Sequence, residues 1–369
     1  MKTKNILFTA LAALAVLVSC NKEETSPTGD NTPKSITIAL GGTSQGSRAT
    51  GAPITTTTPV TLSKAYVLFS NGTDLVKFKG QNGSEIYMEA FNDVAELKTE
   101  AGVTFHNLPA EVTEVIVVGN IERTTLEDCV GEGQTNTKAA LEAITRTLAQ
   151  ESPANLNNLT LYGVSAELVP QTDKDDEAHS YFKATVELKP LVARLEIRNV
   201  QCTDLGSEYK KLVISQIALA NLYKQVPIKG TPDSQELLAG VTDSYEEFFA
   251  ENSATSGDTY DQVSLEIDDA QAVPTAGAGQ TLCYHVFGGT IPEILARITK
   301  TDNNDATSFG YIQTSGFTGL TTSHFEAGKV YTVDLTFQEE TVKQPDTKCI
   351  AVIVEVANWD VVLLTPTYD

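Results

Sequence analysis

The sequence predicts an all-β chain of sandwich type with one or two short helices, and three observations carry that expectation. Period-two alternation of apolar and polar residues recurs from end to end. Gly, Asn, Asp and Pro separate the alternating runs, as turns between short strands require. The 369 residues, 41% of them hydrophobic, suffice for about two domains with a core each. A half-buried strand has one apolar face to cover, and a second sheet covers it.

In chain order, the first segment precedes the folded body. Lys2 and Lys4 open it, Ile6 to Val18 is an apolar run of 13 residues, and Leu17-Val18-Ser19-Cys20 closes it. That run is too short for a membrane span, which needs about 20 residues. A small residue directly before a cysteine, instead of an A-x-A-like site, marks a bacterial lipoprotein signal whose thiol receives diacylglycerol. Residues 1–19 are therefore expected to be removed, leaving Cys20 lipidated outside the cytoplasm. Asn21-Lys22-Glu23-Glu24 resembles the Lys-plus-acidic pair that routes lipoproteins of Bacteroidetes to the outer face of the outer membrane. Thr25 to Lys34, almost free of apolar residues, has the composition of a tether.

The first strand alternates Ile36, Ile38 and Leu40 with Ser35, Thr37 and Ala39. Small residues follow from Gly41 to Ser47, with Arg48 the only basic residue between Lys34 and Lys64, which makes the Arg48-Ala49 bond a protease site. Further β-rich runs are Ala65 to Phe69, Glu114 to Val118, Leu159 to Tyr162, Tyr181 to Leu188, Lys211 to Leu219, Val263 to Ile267 and Ile350 to Val356. Two more alternate cleanly: Leu191, Ala193, Leu195 and Ile197 against Val192, Arg194, Glu196 and Arg198, and Tyr331, Val333, Leu335 and Phe337 against Val330, Thr332, Asp334 and Thr336. Both read as half-buried strands. A helix is predicted over Lys138 to Gln150, where Leu141, Ile144 and Leu148 share a face between the cap-prone Asn136-Thr137 and Pro153. Tyr245 to Ala250 is a second helical patch, and the domain boundary falls near Lys189-Pro190.

Charge and composition exclude several function classes. A net charge of −22 repels nucleic acid and anionic lipid. Cys129, Cys202, Cys283 and Cys349 contain no C-x-x-C pair, and their wide spacings favour buried thiols over a stapled scaffold, though an extracytoplasmic location permits disulfides. His106, His179, His285 and His324 lack ligand spacing, and the acidic runs Asp173 to Glu177 and Asp302 to Asp305 lack the Gly and terminal Glu of a calcium loop. There is no G-x-S-x-G, P-loop or G-x-G-x-x-G. No catalytic, cofactor or metal residue is assigned, and an enzyme is not expected.

Several segments together resemble the fimbrillins, pilin subunits of type V pili in Bacteroidetes. They are the lipobox Leu17 to Cys20, the arginine of Gly46-Ser47-Arg48-Ala49, Leu159 to Gly163, Lys189 to Ile197, Phe325 to Leu335, and Cys349 to Val356 with Asn358-Trp359. Tyr284-His285-Val286-Phe287-Gly288-Gly289 departs from the aromatic-rich strand ending in Glu-Asn that such proteins often carry. The resemblance implies two tandem transthyretin-like sandwiches, at 49–188 and 189–369, behind a lipidated propeptide at 20–48. It also implies export as a lipoprotein and maturation by an Arg-specific surface protease.

Cutting after Arg48 would release the lipid and the Ile36, Ile38, Leu40 strand together. Three such side chains are worth up to roughly 5 to 9 kcal/mol when buried, so the groove left behind should take a replacement strand. The candidate donor is the tail of another copy, with Val361, Val362, Leu363, Leu364 and Tyr368 beyond Trp359. Head-to-tail donation of this kind builds a filament. The expected partners are further copies of the chain, the anchor and tip subunits of the same pilus, and the protease. Membrane contact is expected only through the lipid of the precursor, and the receptor is not readable. Two alternatives share these features: an anchored glycan-binding lipoprotein, against which a single tryptophan counts, and a tip adhesin, against which the tail counts.

Overall fold

The computed structural model describes residues 32–41, 60–99, 101–153, 158–165, 167–172, 179–203, 208–230, 237–239, 244–253, 259–267, 273–274, 282–314, 317–320, 322–338, 348–358 and 361–363. The all-β expectation holds: strands dominate, and the α-helices among the described residues are short. The acidic run Asp173 to Glu177 lies outside the described residues.

The first half packs two sheets face to face. One has the order Val169–Pro170, Ser180–Glu187, β1 (Lys34–Gly41), Val103–Leu108. The other runs Lys189–Pro190, Leu161–Ser165, Glu114–Gly119, Ala65–Ser70, Glu89–Phe91. Phe69 of the second sheet meets Phe105 of the first edge-on at 5.2 Å, and Phe78 closes the cluster at 4.7 and 5.7 Å from them. Edge-to-face rings are the arrangement the aromatic quadrupole favours.

The second half is a nine-stranded sheet system ordered Tyr260–Ile267, Tyr209–Ala220, Glu293–Asp302, Thr307–Thr314, Lys348–Asn358, Lys329–Phe337, Val192–Cys202, Val273–Pro274, with Leu282–Phe287 also on Val192–Cys202. Lys348–Asn358 is its seam. It pairs antiparallel with Lys329–Phe337 and touches Thr307–Thr314 only at Gln313↔Lys348 and Thr314↔Ile350. The Tyr245–Asn252 helix, capped by the Ser244 hydroxyl, buries Phe248 and Phe249 beside Tyr260 and Leu295.

Two expectations are corrected. The helix over Lys138 to Gln150 is only Lys138–Glu142, capped where Thr137 Oγ1 accepts from Ala140 N at 3.2 Å. Thr145–Thr147 then becomes a strand paired with Gln225–Pro227, and Leu148–Glu151 a 3₁₀ turn. The β-branched Thr145 and Thr147 favour extension, and pairing with the second half outweighs the helical stripe. The other correction concerns Val192–Cys202, which is not half-buried at Arg194 and Glu196: both are at most 2% exposed. They pair at 2.7 Å and lie across from His285 and Cys283 of Leu282–Phe287, on a face that the first half covers.

Asp302 to Asp305 is a turn: Asp302 Oδ1 accepts from Asn304 N and Ala306 N at 2.8 Å, and Asp305 pairs with Lys210. Cys129 and Cys283 are free thiols and Cys202 is fully buried, while the side chain of Cys349 lies outside the description. Among the described residues no side-chain cluster has the makeup of a metal site, and no helix is long and apolar enough to cross a membrane.

Candidate functional site

β1 occupies the middle of its sheet. It runs parallel to Ser180–Glu187 from Lys34↔Ser180 to Gly41↔Glu187, and antiparallel to Val103–Leu108 through Ile36↔Phe105, Thr37↔Thr104 and Ile38↔Val103. Removing β1 would therefore uncover two strand edges. Ile36 and Ile38 are fully buried and Leu40 is 8% exposed, all three within the main core cluster.

The other face of β1 is polar and also held. Ser35 Oγ lies 3.0 Å from His106 Nδ1, and Thr37 Oγ1 2.8 Å from Thr104 Oγ1. At the head of β1, on the side of Ile36 rather than of Ser35, Lys34 Nζ donates to the Val112 carbonyl at 2.7 Å and sits 5.5 Å from the Phe182 ring centroid. Above β1 the chain turns at Gly102, φ +61°, where a Cβ would fall 2.2 Å from the Ile38 carbonyl oxygen. Only glycine allows that approach. The Glu96–Lys98 turn packs beside β1, and burial lowers the Lys98 ammonium to about 8 against the opposing pull of Asp93.

The tail is also placed in part. Val361–Leu363 pairs in parallel with β2 (Val60–Leu62), the first described strand after the Arg48 segment. The tail is thus docked on its own chain. β2 is held on its other side by Asn120, whose Nδ2 donates to Thr61 O at 2.7 Å and Leu159 O at 3.0 Å and whose Oδ1 accepts from Ser63 N at 2.9 Å. Cys20, Arg48, Ala49, Leu364 and Tyr368 lie outside the described residues.

The arrangement is a buried central strand, paired with a neighbour on each side. A buried strand with paired neighbours on both sides leaves backbone donors, acceptors and an apolar trench when it goes, and another extended chain restores all three. Sequence reading found β1 and missed Gly102, His106, Thr104 and Asn120. Asn120 does follow Gly119, a turn pair, at φ +57°. A stacking platform for sugar is not offered by Phe309, the most exposed aromatic among the described residues, since the Arg297 guanidinium lies 4.1 Å from its ring centre.

No family model and no curated protein sequence matches the chain. Solved structures do. A proposed cell adhesion protein from Parabacteroides distasonis ATCC 8503 superposes with a TM-score of 0.57 at 13% identity, over 91% of this chain and 99% of that one. Another from Bacteroides eggerthii DSM 20697 gives 0.51 at 16% identity, over 91% and 100%. A fimbrilin from Porphyromonas gingivalis W83 gives 0.50 at 13%, over 90% and 99%. At these identities the likeness is one of fold, and it spans nearly all of each chain.

Proposed function

We propose that the chain is a structural subunit of a cell-surface pilus, serving adhesion or biofilm formation. It is exported as an outer-membrane lipoprotein through Cys20, cut between Arg48 and Ala49 by an Arg-specific surface protease, and polymerised by donation of the tail of one copy into the groove of the next. Its two sandwich units are 49–188 and 189–369, with anchor and tip subunits as further partners. One observation carries the reading: β1, which precedes Arg48, fills the centre of a sheet with Ile36 and Ile38 fully buried, so cutting frees a segment the core needs. The fold shared with a fimbrilin and with proposed adhesion proteins supports it.

Mild trypsin treatment of the purified precursor tests the proposal. A first cut giving an Ala49-Thr50-Gly51 N-terminus, followed by a ladder on gels or filaments by electron microscopy, is expected. A first cut after Lys174, in the acidic run, or a cut chain that stays monomeric, refutes it.

A further inference from the structure

A cleft of about 320 Å³ in the first half is lined by Glu85 to Met88, by Arg123 and Glu127 of a short helix, and by the turn that follows that helix. Its volume stands at the small end of the roughly 300–1,000 Å³ typical of ligand clefts. The turn keeps its shape through Asn136, whose Oδ1 accepts from Gly131 N at 2.8 Å and whose Nδ2 donates to Gly131 O at 2.7 Å and Gln134 O at 3.1 Å. Apolar surface comes from the buried Val130 and the half-buried Ile86 and Met88. Among the described residues the Glu85 carboxylate, the Tyr87 hydroxyl and the Gln134 amide make no hydrogen bond. Arg123 Nε pairs with Glu127 Oε1 at 2.7 Å, and Lys77 pairs with Glu132 while standing 5.8 Å from the Tyr87 ring centroid. Those pairs meet the charge of Glu127 and Glu132 and leave a second carboxylate oxygen on each, with the Arg123 Nη groups, for further hydrogen bonds.

We infer that this cleft binds a neutral saccharide of one or two rings, with an apolar ring face on Ile86 and Met88 and hydroxyls on Tyr87, Arg123, Glu127 and Gln134. A sugar hydroxyl donates and accepts at once, and the cleft presents both kinds of partner beside apolar surface. A cationic ligand fits less well, because two of the three carboxylates already hold a cation and Lys77 already stands by the Tyr87 ring. An anionic ligand meets the Glu85 carboxylate, which has no ion pair among the described residues, on a chain of net charge −22. The inference rests on the adhesive-pilus reading above for its purpose and adds to it a class of receptor.

None of the described residues lining the cleft belongs to β1 or to Val361–Leu363, so the test uses the uncut full chain and depends on neither cleavage nor filaments. Its failure would leave strand donation standing, and failure of strand donation would leave the cleft. The chain is passed over immobilised lactose, N-acetyllactosamine and mannobiose, with sialyllactose as the acidic counterpart, and retention is read by surface plasmon resonance. Retention on at least one neutral sugar, stronger than on sialyllactose, is expected. Tyr87→Phe removes only a hydroxyl, and Gln134→Ala removes an exposed amide with no bond to the rest of the described chain, so both variants should fold. Each should weaken retention roughly threefold to tenfold. Retention on none of the three neutral sugars, stronger retention on sialyllactose, or retention that neither variant weakens overturns the assignment. Retention on an immobilised tetralysine peptide alone also overturns it and gives the cleft to a cationic partner.

Discussion

His285 joins the two halves through one atom. Its ring is fully buried in the second half, and Nδ1 donates at 2.6 Å to the carbonyl oxygen of Glu151 in the first. The Glu151 carboxylate is itself buried and satisfied by Arg146 at 3.1 Å, Thr160 N at 2.8 Å and Thr160 Oγ1 at 2.7 Å. Burial above all, then the positive charge of Arg194, lowers the imidazole from 6.5 to about 3, with the Glu151 carbonyl pulling the other way. Arg194, Glu196 and the Cys283 thiol are the other ionisable groups on the neighbouring strand positions. The unfolded chain takes up a proton near 6.5 and the folded one does not. Stability conferred at this site is therefore full above about pH 6.5 and is lost progressively as the pH falls toward 3. Thermal melts between pH 7.5 and 4 should show a shallower loss of Tm in His285→Asn, whose amide can keep the bond to Glu151, than in the unaltered chain. Identical slopes would mean that the ring is not the coupled group. Nothing in the sequence pointed to this contact, because alternation assigned Arg194 and Glu196 to a solvent face and said nothing of what covers it.

At the level of elements, the alternation of Ser35 to Leu40 made β1 legible, and its place in the sheet was not. Its neighbours lie far along the chain, at Val103–Leu108 and Ser180–Glu187, and pairing over such distances leaves no local pattern. The same reason explains Thr145–Thr147, where a helical stripe gave way to a partner strand in the other half. The tail shows the converse: its apolar run was legible, its parallel partner β2 was not. Gly102 is the element-scale test of β1. An alanine there must adopt φ +61° and place its methyl on the Ile38 carbonyl, so either the turn or β1 moves. The left-handed backbone alone costs about 1–2 kcal/mol. Gly102→Ala should lower the Tm of the precursor, and after mild trypsin treatment the β1 fragment N-terminal to the Arg48 cut should leave the cut chain faster, measured by native mass spectrometry. Retention equal to that of the unaltered chain would place Gly102 away from β1.

For the whole molecule, the tail and the groove belong to one chain but are proposed to serve two. Val361–Leu363 lies on β2 of its own first half, so a tail that donates must first leave that pairing. The pairing is short, and each backbone bond contributes about 0.5–1.5 kcal/mol, which sets the barrier to release low compared with the apolar burial a β1-type groove offers. β2 does not depend on the tail alone, because Asn120 holds Thr61 and Ser63 and the side chains of Val60 and Leu62 are fully buried. Deleting residues 361–369 should thus leave a folded chain with a modestly lower Tm that is still cut at Arg48. It should accept a strand but donate none. Added in rising proportion to the unaltered chain, it should occupy ends and shorten the filaments seen by electron microscopy. Leu363→Asp should act in the same direction, since a carboxylate entering an apolar trench costs several kcal/mol. Filaments of normal length from the deleted chain alone would remove the tail as donor and leave the β1 groove to be filled by some other strand.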